Sequence, residues 1–530
     1  MTPYTTTLAI LATALLLHLS VAAAQDAPAA SQMPAVGDDE PRALVTIDPT
    51  ATPKPYSRMI FGGFIEHFDN QVYGGVFEPG SPLADEKGLR KDVIEALKEL
   101  KVAVIRWPGG CFVDAYHWRK GVGKNREPYG DPRWGVMELN TFGTHEFVEL
   151  CRRVGAEPYI CFNGLADVQE NLDWVAYCNA TEGPLAEMRK ANGQPEPFKV
   201  KFWSVGNERY DKAYVERVRD TAKAIKARFP EVQITCAGSQ SGQALNAYLL
   251  EQAGEHLDYV SIHDYWLPRG KELPDFDYLT AVMKSEMPEA CVRIATKSLA
   301  DHGRGRIQIA FDEWNLRAWQ HPGFPRDSVK DFQDPEVRRL VELRRRQNDA
   351  ASQYTVADAL FSASFLNACL RHCEDVGMAN IAPIINTRGP LYVHPEGIVK
   401  RTTFHALAMY ANLLESRVGK LQVEASPLVQ GKGSIPVVDA TATCDESGGK
   451  WAIALINRHP EKTAACTVRI GNLLPDGQYD ATVLAGDSPE AYNDVEYPHR
   501  VAPEQKKVAL ARGVVNLPPH SLTIMHVAAK

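Results

Sequence analysis

Residues 200–238, VKFWSVGNERYDKAYVERVRDTAKAIKARFPEVQITCAG, contain the pattern that decides the fold. Two short apolar runs, 200–208 and 232–238, enclose a stretch with the apolar periodicity of a helix. Continuous apolar runs are typical of strands that are covered on both faces of a parallel sheet. The segment therefore predicts a strand–helix–strand unit.

The same alternation extends from residue 59 to residue 401. Residues 85–100, for example, repeat apolar side chains on one helix face. We therefore predict an α/β fold, a (β/α)8 TIM barrel, for residues 59–401. A doubly wound open sheet is the alternative, but no glycine-rich phosphate turn follows the first run. The eight runs are MIFGGFIE (59–66), VAVIRWP (102–108), EPYICFN (157–163), VKFWSVGNE (200–208), VQITCAG (232–238), LDYVSIHDY (257–265), RIQIAFDEW (306–314) and VGMANIAPII (376–385).

Residues 402–530 have a different pattern. One helical stretch is followed by six short β-like segments separated by turn residues. This pattern predicts a C-terminal antiparallel β-sandwich, jelly-roll-like, beside the barrel. We expect residues 43–58, which begin with ALVTIDP, to add a strand to it. The six segments are 434–443, 450–458, 464–470, 479–486, 508–518 and 521–529.

The N-terminus has the features of an export signal. Residues 8–19 form an apolar run, and residues 22–24 give an A-x-A cleavage pattern. We predict a signal peptide over residues 1–24 and a flexible leader over residues 25–42, and hence export to the periplasm or the cell exterior. The alternative is an uncleaved N-terminal anchor, but after cleavage we expect no membrane association.

Composition excludes several classes of protein. Of the 530 residues, 45% are hydrophobic and 23% are charged, so disorder and fibrous repeats are poor interpretations. The net charge of −8 argues against a nucleic-acid partner, since no basic excess is present to neutralise phosphates. Ten cysteines permit disulfides in an exported chain, yet most lie in apolar runs, which favours free buried thiols.

Polar and aromatic side chains stand at the ends of at least six predicted strands. Reactive groups of (β/α)8 enzymes lie at the C-terminal ends of the strands, so we expect these residues to converge on one face. They are Glu66 and His67, Arg106 to Cys111, Asn163, Asn207 and Glu208, His263 to Trp266, Asp312 to Trp314, and Asn386.

Two of these residues, Glu208 and Glu313, follow the fourth and seventh runs and so lie across the barrel mouth. A pair of carboxylates across a cleft is what glycoside hydrolysis requires, one to protonate the leaving oxygen and one to attack the anomeric carbon. A separation of about 5–5.5 Å gives retention of configuration. Either glutamate alone is more often a salt-bridge partner, but the convergence of polar strand ends favours catalysis.

The sequence suggests candidate roles for the residues near Glu208 and Glu313 and leaves some alternatives open. Asn207 is a candidate partner for a sugar 2-hydroxyl, and Tyr265 for the second oxygen of the nucleophile. Arg106, Cys111 and His263 are open between substrate contact and a structural role. Asp312 is expected to point away, because side chains alternate along a strand. Apolar faces for sugars are expected from Trp107, Trp118, Trp266, Trp314 and Trp319.

The chain resembles the glycoside hydrolase family 51 α-L-arabinofuranosidases in an ordered series of motifs. The C-terminal β domain resembles theirs as well. The matching stretches are FGGFIEHFDNQVYGGVFEPGSPLADEKGLRKDV (61–93), VIRWPGGCFVDAYHWRKGVG (104–123), FGTHEFVELCRRVGAEPYI (142–160), WSVGNE (203–208), VSIHDYW (260–266) and IAFDEWN (309–315).

The resemblance implies a retaining enzyme with Glu208 as acid/base and Glu313 as nucleophile. The implied activity is removal of terminal arabinofuranose from hemicellulose or pectin side chains. We expect a carbohydrate substrate, no cofactor and no metal. The candidate substrate-binding residues are Glu66, Arg106, Cys111, Trp118, Asn207, His263, Tyr265 and Asn386.

Two departures leave the sugar specificity open. Many relatives carry Asn where Cys111 stands, and residues 386–405 lack a Trp-x-Gln element that helps to bind arabinose in some members. An endo-β-glycanase, a xylosidase or a galactofuranosidase on the same fold are the alternatives. A non-catalytic glycan-binding protein is an alternative of another class. The family is often oligomeric, so a homo-oligomer stays open as well.

Overall fold

The structure is a computed structural model that describes residues 40–135, 137–240, 242–267, 277–319 and 335–528. The predicted signal peptide and nearly all of the predicted leader lie outside these residues. Within the described ranges, no helix combines the length and the apolar character that crossing a bilayer requires.

The eight predicted apolar runs all form strands of one parallel sheet, and the first strand lies between the eighth and the second. A parallel bridge between Ala237 and Ser261 joins the fifth strand to the sixth, so the sheet closes on itself. The predicted (β/α)8 barrel is confirmed. Its strands are Gly62–Phe64, Val104–Trp107, Glu157–Phe162, Phe202–Val205, Gln233–Cys236, Tyr259–Leu267, Gln308–Arg317 and Val376–Ile381.

The helices begin and end at residues with recognisable capping chemistry. Asp211 accepts a hydrogen bond from the backbone N–H of Tyr214 and so caps the helix that starts at Lys212. The helix Thr144–Val154 ends at Gly155, whose φ of 86° is in the left-handed region that glycine favours. The α-helices are Lys91–Glu99, Thr144–Val154, Val168–Asn179, Pro184–Ala191, Lys212–Arg228, Ala247–Gln252, Tyr278–Val282, Met287–Asp301, Pro335–Asn348, Val356–Arg371 and Thr402–Leu413.

The C-terminal strands form a four-stranded and a seven-stranded sheet, which confirms the predicted sandwich fold. Strand Arg42–Asp48 lies in the smaller sheet, antiparallel to Lys420–Ala425 and parallel to Ala464–Ile470. In order, the smaller sheet contains Lys420–Ala425, Arg42–Asp48, Ala464–Ile470 and Val514–Leu517. The larger contains Lys54–Pro55, Arg417–Val418, Val438–Cys444, Lys450–Asn457, Ser521–Ala528, Gly477–Leu484 and Glu504–Leu510. Three two-stranded ribbons are Tyr129–Gly130 with Met137–Glu138, Leu391–His394 with Gly397–Lys400, and Pro427–Gln430 with Gly433–Pro436.

Helix Val356–Arg371 joins the barrel to the sandwich. It is buried from Val356 to Leu370, as expected for a helix with apolar residues on all of its faces. It packs against the seventh barrel strand on one side and against the sandwich strand Val438–Cys444 on another. Arg458 of the sandwich donates to Ser364 of this helix at 2.9 Å. The two domains therefore share one core, which holds the barrel strands in place.

All ten cysteines lie in the described residues, and none forms a disulfide. Eight of them are buried, and Cys111 and Cys291 are partly exposed. The prediction that most cysteines are free and buried is therefore confirmed.

Candidate active site

A β-bulge in the seventh barrel strand turns two adjacent carboxylates toward the same cation. Ser261 pairs with Ala310, but His263 pairs with Glu313, so the seventh strand has one residue more than the sixth in this interval. Asp312 and Glu313 are both buried, and both contact Arg106. The expectation that Asp312 points away is therefore wrong, because simple alternation does not hold across a bulge.

Arg106, at the end of the second strand, is the cation at the centre of the site. Its Nη1 donates to Oε1 of Glu313 at 2.6 Å, and its Nη2 donates to Oδ1 of Asn207 at 2.7 Å. Its Nε lies 3.4 Å from Oδ2 of Asp312 and 3.1 Å from Sγ of Cys161. One planar guanidinium thus fixes side chains from the third, fourth and seventh strands.

Both oxygens of Glu313 have donors in the protein. Oε1 receives Arg106, and Oε2 accepts the hydroxyl of Tyr265 at 3.0 Å. Nδ1 of His263 lies 3.5 Å from the same Oε2. The carboxylate is therefore held in one orientation with its negative charge compensated, which suits a nucleophile.

Glu208 stands on a tight turn at the end of the fourth strand. Gly206 has a φ of 66°, and a Cβ there would lie 2.9 Å from Cα of Gly164, so the position excludes larger residues. Glu208 itself has a φ of 44°, a left-handed conformation that costs about 1–2 kcal/mol in a residue with a side chain. Its side chain is 38% exposed, against 4% for Glu313. This backbone strain falls on the residue that the sequence predicts as the proton donor.

Glu208 and Glu313 approach each other at the mouth of the barrel. One oxygen of each carboxylate and one ring nitrogen of His263 lie within 4.8 Å of one another. Retaining glycosidases hold their two carboxyl groups about 5–5.5 Å apart, and inverting ones about 6.5–9.5 Å apart. The close approach corresponds to the retaining arrangement.

His263 lies between three carboxylates. Its Nδ1 is 3.1 Å from Oε1 of Glu208, and its Nε2 is 3.1 Å from Oδ1 of Asp312. Burial alone would lower the pKa of His263, but the charge of Glu313 and the contacts with Asp312 and Glu208 raise it to about 10. Glu208, His263 and Glu313 each offer one ligand atom of a type that a metal ion accepts.

Glu66 follows the first strand, and only one of its two carboxylate oxygens accepts hydrogen bonds within the described residues. Oε1 accepts from the backbone N–H of Phe112 and from the indole of Trp134, both at 2.8 Å. Oε2 is buried and has no hydrogen-bond partner among the described residues. Burial raises the pKa of Glu66 to about 8. A Cβ on Gly110 would lie 2.9 Å from Oε1 of Glu313 and 3.4 Å from Oε2 of Glu66, so this glycine leaves space between the two.

Cys111 lies at the edge of the same group. Its Sγ is 3.6 Å from Nδ2 of Asn207 and 3.9 Å from Oε2 of Glu208. Burial and the charges of Glu208 and Glu66 raise the pKa of Cys111 to about 12. The thiol is therefore neutral at physiological pH and stands next to the predicted acid/base.

Two predicted substrate contacts do not join this group. The side chain of Asn386 donates to Asn70 O at 2.6 Å and accepts from Val393 N at 2.7 Å, so it joins the backbone of a loop to that of the strand Leu391–His394. Trp118 is 1% exposed, and its ring stacks on Trp174. Both side chains are engaged elsewhere in the described part of the chain, and their contact with the substrate stays a prediction.

The other predicted aromatic faces are mostly core residues as well. Trp107 and Trp314 are at most 1% exposed and stack on Phe147 and Phe365, respectively. Trp266 packs on Phe361. Trp319 meets the ring of Tyr265 edge-on at 4.9 Å and so lies beside the site.

Sequence reasoning missed two contributors to the site. Trp134 lies far from any barrel strand, between the ribbon strands Tyr129–Gly130 and Met137–Glu138, and Phe112 contributes only its backbone N–H, so neither residue shows a pattern that predicts a role in the site. For Asp312, simple alternation along the strand predicts the wrong side of the sheet. The structure brings together Glu66, Arg106, Cys111, Asn207, Glu208, His263, Tyr265 and Glu313.

Two family models that match this chain, and a relative that matches nearly all of it, are described as alpha-L-arabinofuranosidases. A family model described as the alpha-L-arabinofuranosidase 1 domain matches residues 96–280, and one described as the alpha-L-arabinofuranosidase C-terminal domain matches residues 312–521. Alpha-L-arabinofuranosidase C of Emericella nidulans is 33% identical over 524 residues, which is 91% of this chain and 96% of the relative.

A bacterial relative and a crystal structure extend the similarity. The intracellular exo-alpha-(1->5)-L-arabinofuranosidase of Streptomyces lividans is 30% identical, over 87% of this chain and 71% of its own length. The arabinose complex of the Thermotoga maritima alpha-L-arabinofuranosidase superposes with a TM-score of 0.80 at 29% identity, covering 92% of this chain and all of that one.

Proposed function

Because this chain belongs to the glycoside hydrolase family 51 α-L-arabinofuranosidases, we propose that Glu313 and Glu208 remove terminal α-L-arabinofuranosyl residues by double displacement. The observation that carries this proposal is the approach of the two carboxylates to within 4.8 Å at the barrel mouth. The substrates that we propose are the arabinose side chains of hemicellulose or pectin.

In the first step, a carboxylate oxygen of Glu313 attacks the anomeric carbon. The bond from that carbon to the glycosidic oxygen breaks, and the carboxyl proton of Glu208 passes to the departing oxygen. A glycosyl ester of Glu313 results. Arg106 and Tyr265 hold the nucleophile in its attacking orientation. The reacting step therefore loses less entropy than it would with a freely rotating carboxylate.

In the second step, a water molecule attacks the same carbon. The carboxylate of Glu208 takes a proton from this water, the ester bond to Glu313 breaks, and arabinose leaves with its original configuration. Both side chains return to their starting protonation states. The exposure of Glu208 suits this role, because the leaving group and the water must both reach it.

The remaining members of the site are proposed to bind the sugar. Oε2 of Glu66 is a buried polar atom without a partner in the described residues, and such an atom fits a substrate hydroxyl. Burial favours the neutral form of Glu66, which can both donate and accept. Asn207 and Cys111 offer an amide and a thiol next to Glu208.

We also propose that the protein is exported. The apolar run over residues 8–19 and the small residues at 22–24 support a cleaved signal peptide. Expression of the full chain in a bacterial host, followed by N-terminal sequencing of the product in each fraction, tests this proposal. A mature chain that begins at Gln25 outside the cytoplasm is the expected result, and an uncleaved cytoplasmic chain would contradict it.

The activity is tested with aryl glycosides and one polymer. The protein is expected to hydrolyse an aryl α-L-arabinofuranoside and to release α-configured arabinose first, as seen by proton NMR during turnover. Turnover of only a soluble β-glucan, or first release of the β anomer, would contradict the proposal. Glu313→Gln serves as the inactive control, and hydrolysis that survives this change would also contradict it.

A further inference from the structure

The bulged Asp312 and the imidazole of His263 form a hydrogen-bonded pair behind the two reacting carboxylates. Oδ1 of Asp312 lies 3.1 Å from Nε2 of His263, while Nδ1 of the same ring faces Glu208 and Glu313. We propose that Asp312 is a positioning residue that keeps His263 doubly protonated, so that one N–H serves both reacting carboxylates. This inference rests on the proposed function.

The distances place Nδ1 of His263 between the two groups that exchange charge. It is 3.5 Å from Oε2 of Glu313 and 3.1 Å from Oε1 of Glu208. In the first step Glu313 loses its negative charge as it becomes an ester, and Glu208 gains one as it gives up its proton. A cation that touches both carboxylates stabilises the anion before and after this transfer, without having to move.

The charges around the ring support the pairing. Asp312, Glu208 and Glu313 face His263, and Arg106 faces Asp312 at 3.4 Å and Glu313 at 2.6 Å. When Glu208 is protonated, the anions Asp312 and Glu313 balance two cations, His263 and Arg106. After the proton has moved to the leaving oxygen, Glu208 replaces Glu313 as the second anion and the balance is kept. A neutral His263 would leave the group with one negative charge too many in both states.

The anchoring of Asp312 explains why it is suited to hold the ring. Its Oδ2 accepts the hydroxyl of Tyr159 at 2.8 Å, and its Oδ1 accepts the hydroxyl of Ser261. Burial alone would raise the pKa of Asp312, but Arg106 and His263 hold it well below its ordinary value. Asp312 is fully buried, so it acts on the substrate through its neighbours, and His263 is the neighbour that faces both Glu208 and Glu313.

The experiment compares pH profiles and a double-mutant cycle on the full-length enzyme. Asp312→Asn removes the negative charge but keeps the shape and a hydrogen-bonding amide. We expect kcat/KM to fall by about tenfold or more, and the bell-shaped profile to move to higher pH by roughly one unit, since a nearby cation is lost. Tyr159→Phe is the matched control, because it removes a donor to the same carboxylate but no charge, and its profile keeps its position.

The cycle separates a positioning role from a general structural one. In a His263→Gln background, Asp312→Asn is expected to cost at most about threefold, because the residue through which it acts is gone. An equal loss in both backgrounds, or an unshifted pH profile in Asp312→Asn, would overturn the inference. Since the wild-type enzyme and Glu313→Gln are measured alongside, failure of the proposed function is seen separately, as an inactive wild type or an active Glu313→Gln.

If Asp312→Asn does not fold, a measurement on the enzyme with Asp312 intact still tests the inference. Nitrogen NMR of the histidine-labelled enzyme, with the signal of His263 assigned from its loss in His263→Gln, reports the protons on both ring nitrogens. We expect both to be protonated at about pH 8, well above the ordinary histidine pKa of about 6.5. A neutral ring at that pH would overturn the inference.

Discussion

Nη1 of Arg106 and Oε1 of Glu313 are 2.6 Å apart, and this contact ties the second barrel strand to the seventh. Both side chains are almost completely buried. The same guanidinium also holds Asn207, whose neighbour in the chain is Glu208. One cation therefore fixes the position of the proposed nucleophile and of the turn that carries the proposed acid/base.

Replacement of Arg106 tests this relationship. Arg106→Met leaves the negative charge of Glu313 buried beside Asp312 without its partner, which destabilises the fold by about 3–5 kcal/mol. We expect kcat/KM to fall by about 100-fold or more. Thermal unfolding and steady-state kinetics measure the two effects.

Arg106→Lys is the matched control, because it keeps the charge but cannot make the four contacts of the planar guanidinium. It should recover most of the stability and little of the activity. A lysine variant with wild-type activity would show that charge alone matters, which would contradict the positioning role of the guanidinium.

The hydroxyl of Tyr265 is the second donor to the nucleophile. Tyr265→Phe removes a hydrogen bond of 3.0 Å to Oε2 of Glu313 and keeps the ring that packs on Trp319. We expect kcat to fall by about 100-fold with little change in the unfolding temperature. An unchanged kcat would mean that the hydroxyl does not act on the nucleophile in the reacting complex.

Glu66 should make the stability of the protein depend on pH. Burial raises the pKa of Glu66 from 4.5 to about 8, so between these pH values the folded chain holds a proton that the unfolded chain has released. The stabilisation from neutral Glu66 is fully present below about pH 4.5 and is lost as the pH rises through about 8. Glu66→Gln stays neutral throughout. The free energy of unfolding is therefore expected to fall more steeply from about pH 5 to about pH 8 in the wild type than in Glu66→Gln. Parallel curves for the two proteins would refute this assignment.

The thiols should be unreactive in the folded enzyme. Burial and neighbouring carboxylates raise the pKa of both partly exposed thiols, Cys111 and Cys291, to about 12, and the thiolate is the reactive form. A chromogenic disulfide reagent at about pH 8 should label the native protein slowly and leave its activity intact. All ten thiols should react in denaturant. Rapid labelling with inactivation in the wild type, but not in Cys111→Ala, would contradict this expectation.

The strand ends were predictable because a parallel barrel follows from continuous apolar runs. Glu66, Arg106, Asn207, Glu208, Tyr265 and Glu313 all stand where those runs stop, and the closed sheet brings them together. The direction of Asp312 was not predictable, since a β-bulge depends on pairing between strands and has no local signature in RIQIAFDEW.

For two other residues, the position relative to a barrel strand end does not predict the role in the structure. Asn386 also follows a barrel strand, but its φ of 52° puts it in a turn whose backbone it holds with its own side chain. Trp134 was missed because it reaches Glu66 from a loop that begins well after the second strand. Contacts of this kind depend on the course of the loops, and the pattern of apolar and polar residues does not predict that course.

In the proposed mechanism Glu313 forms the covalent bond to the sugar, and trapping of that bond is a direct test of this role. Glu208→Ala with an aryl arabinofuranoside whose leaving group needs no proton should form the glycosyl-enzyme quickly and hydrolyse it slowly. Proteolysis and tandem mass spectrometry are then expected to find one arabinosyl unit on the peptide that contains Glu313, attached to that side chain. An arabinosyl group on any other residue, or no adduct despite rapid release of the aryl group, would show that Glu313 is not the nucleophile.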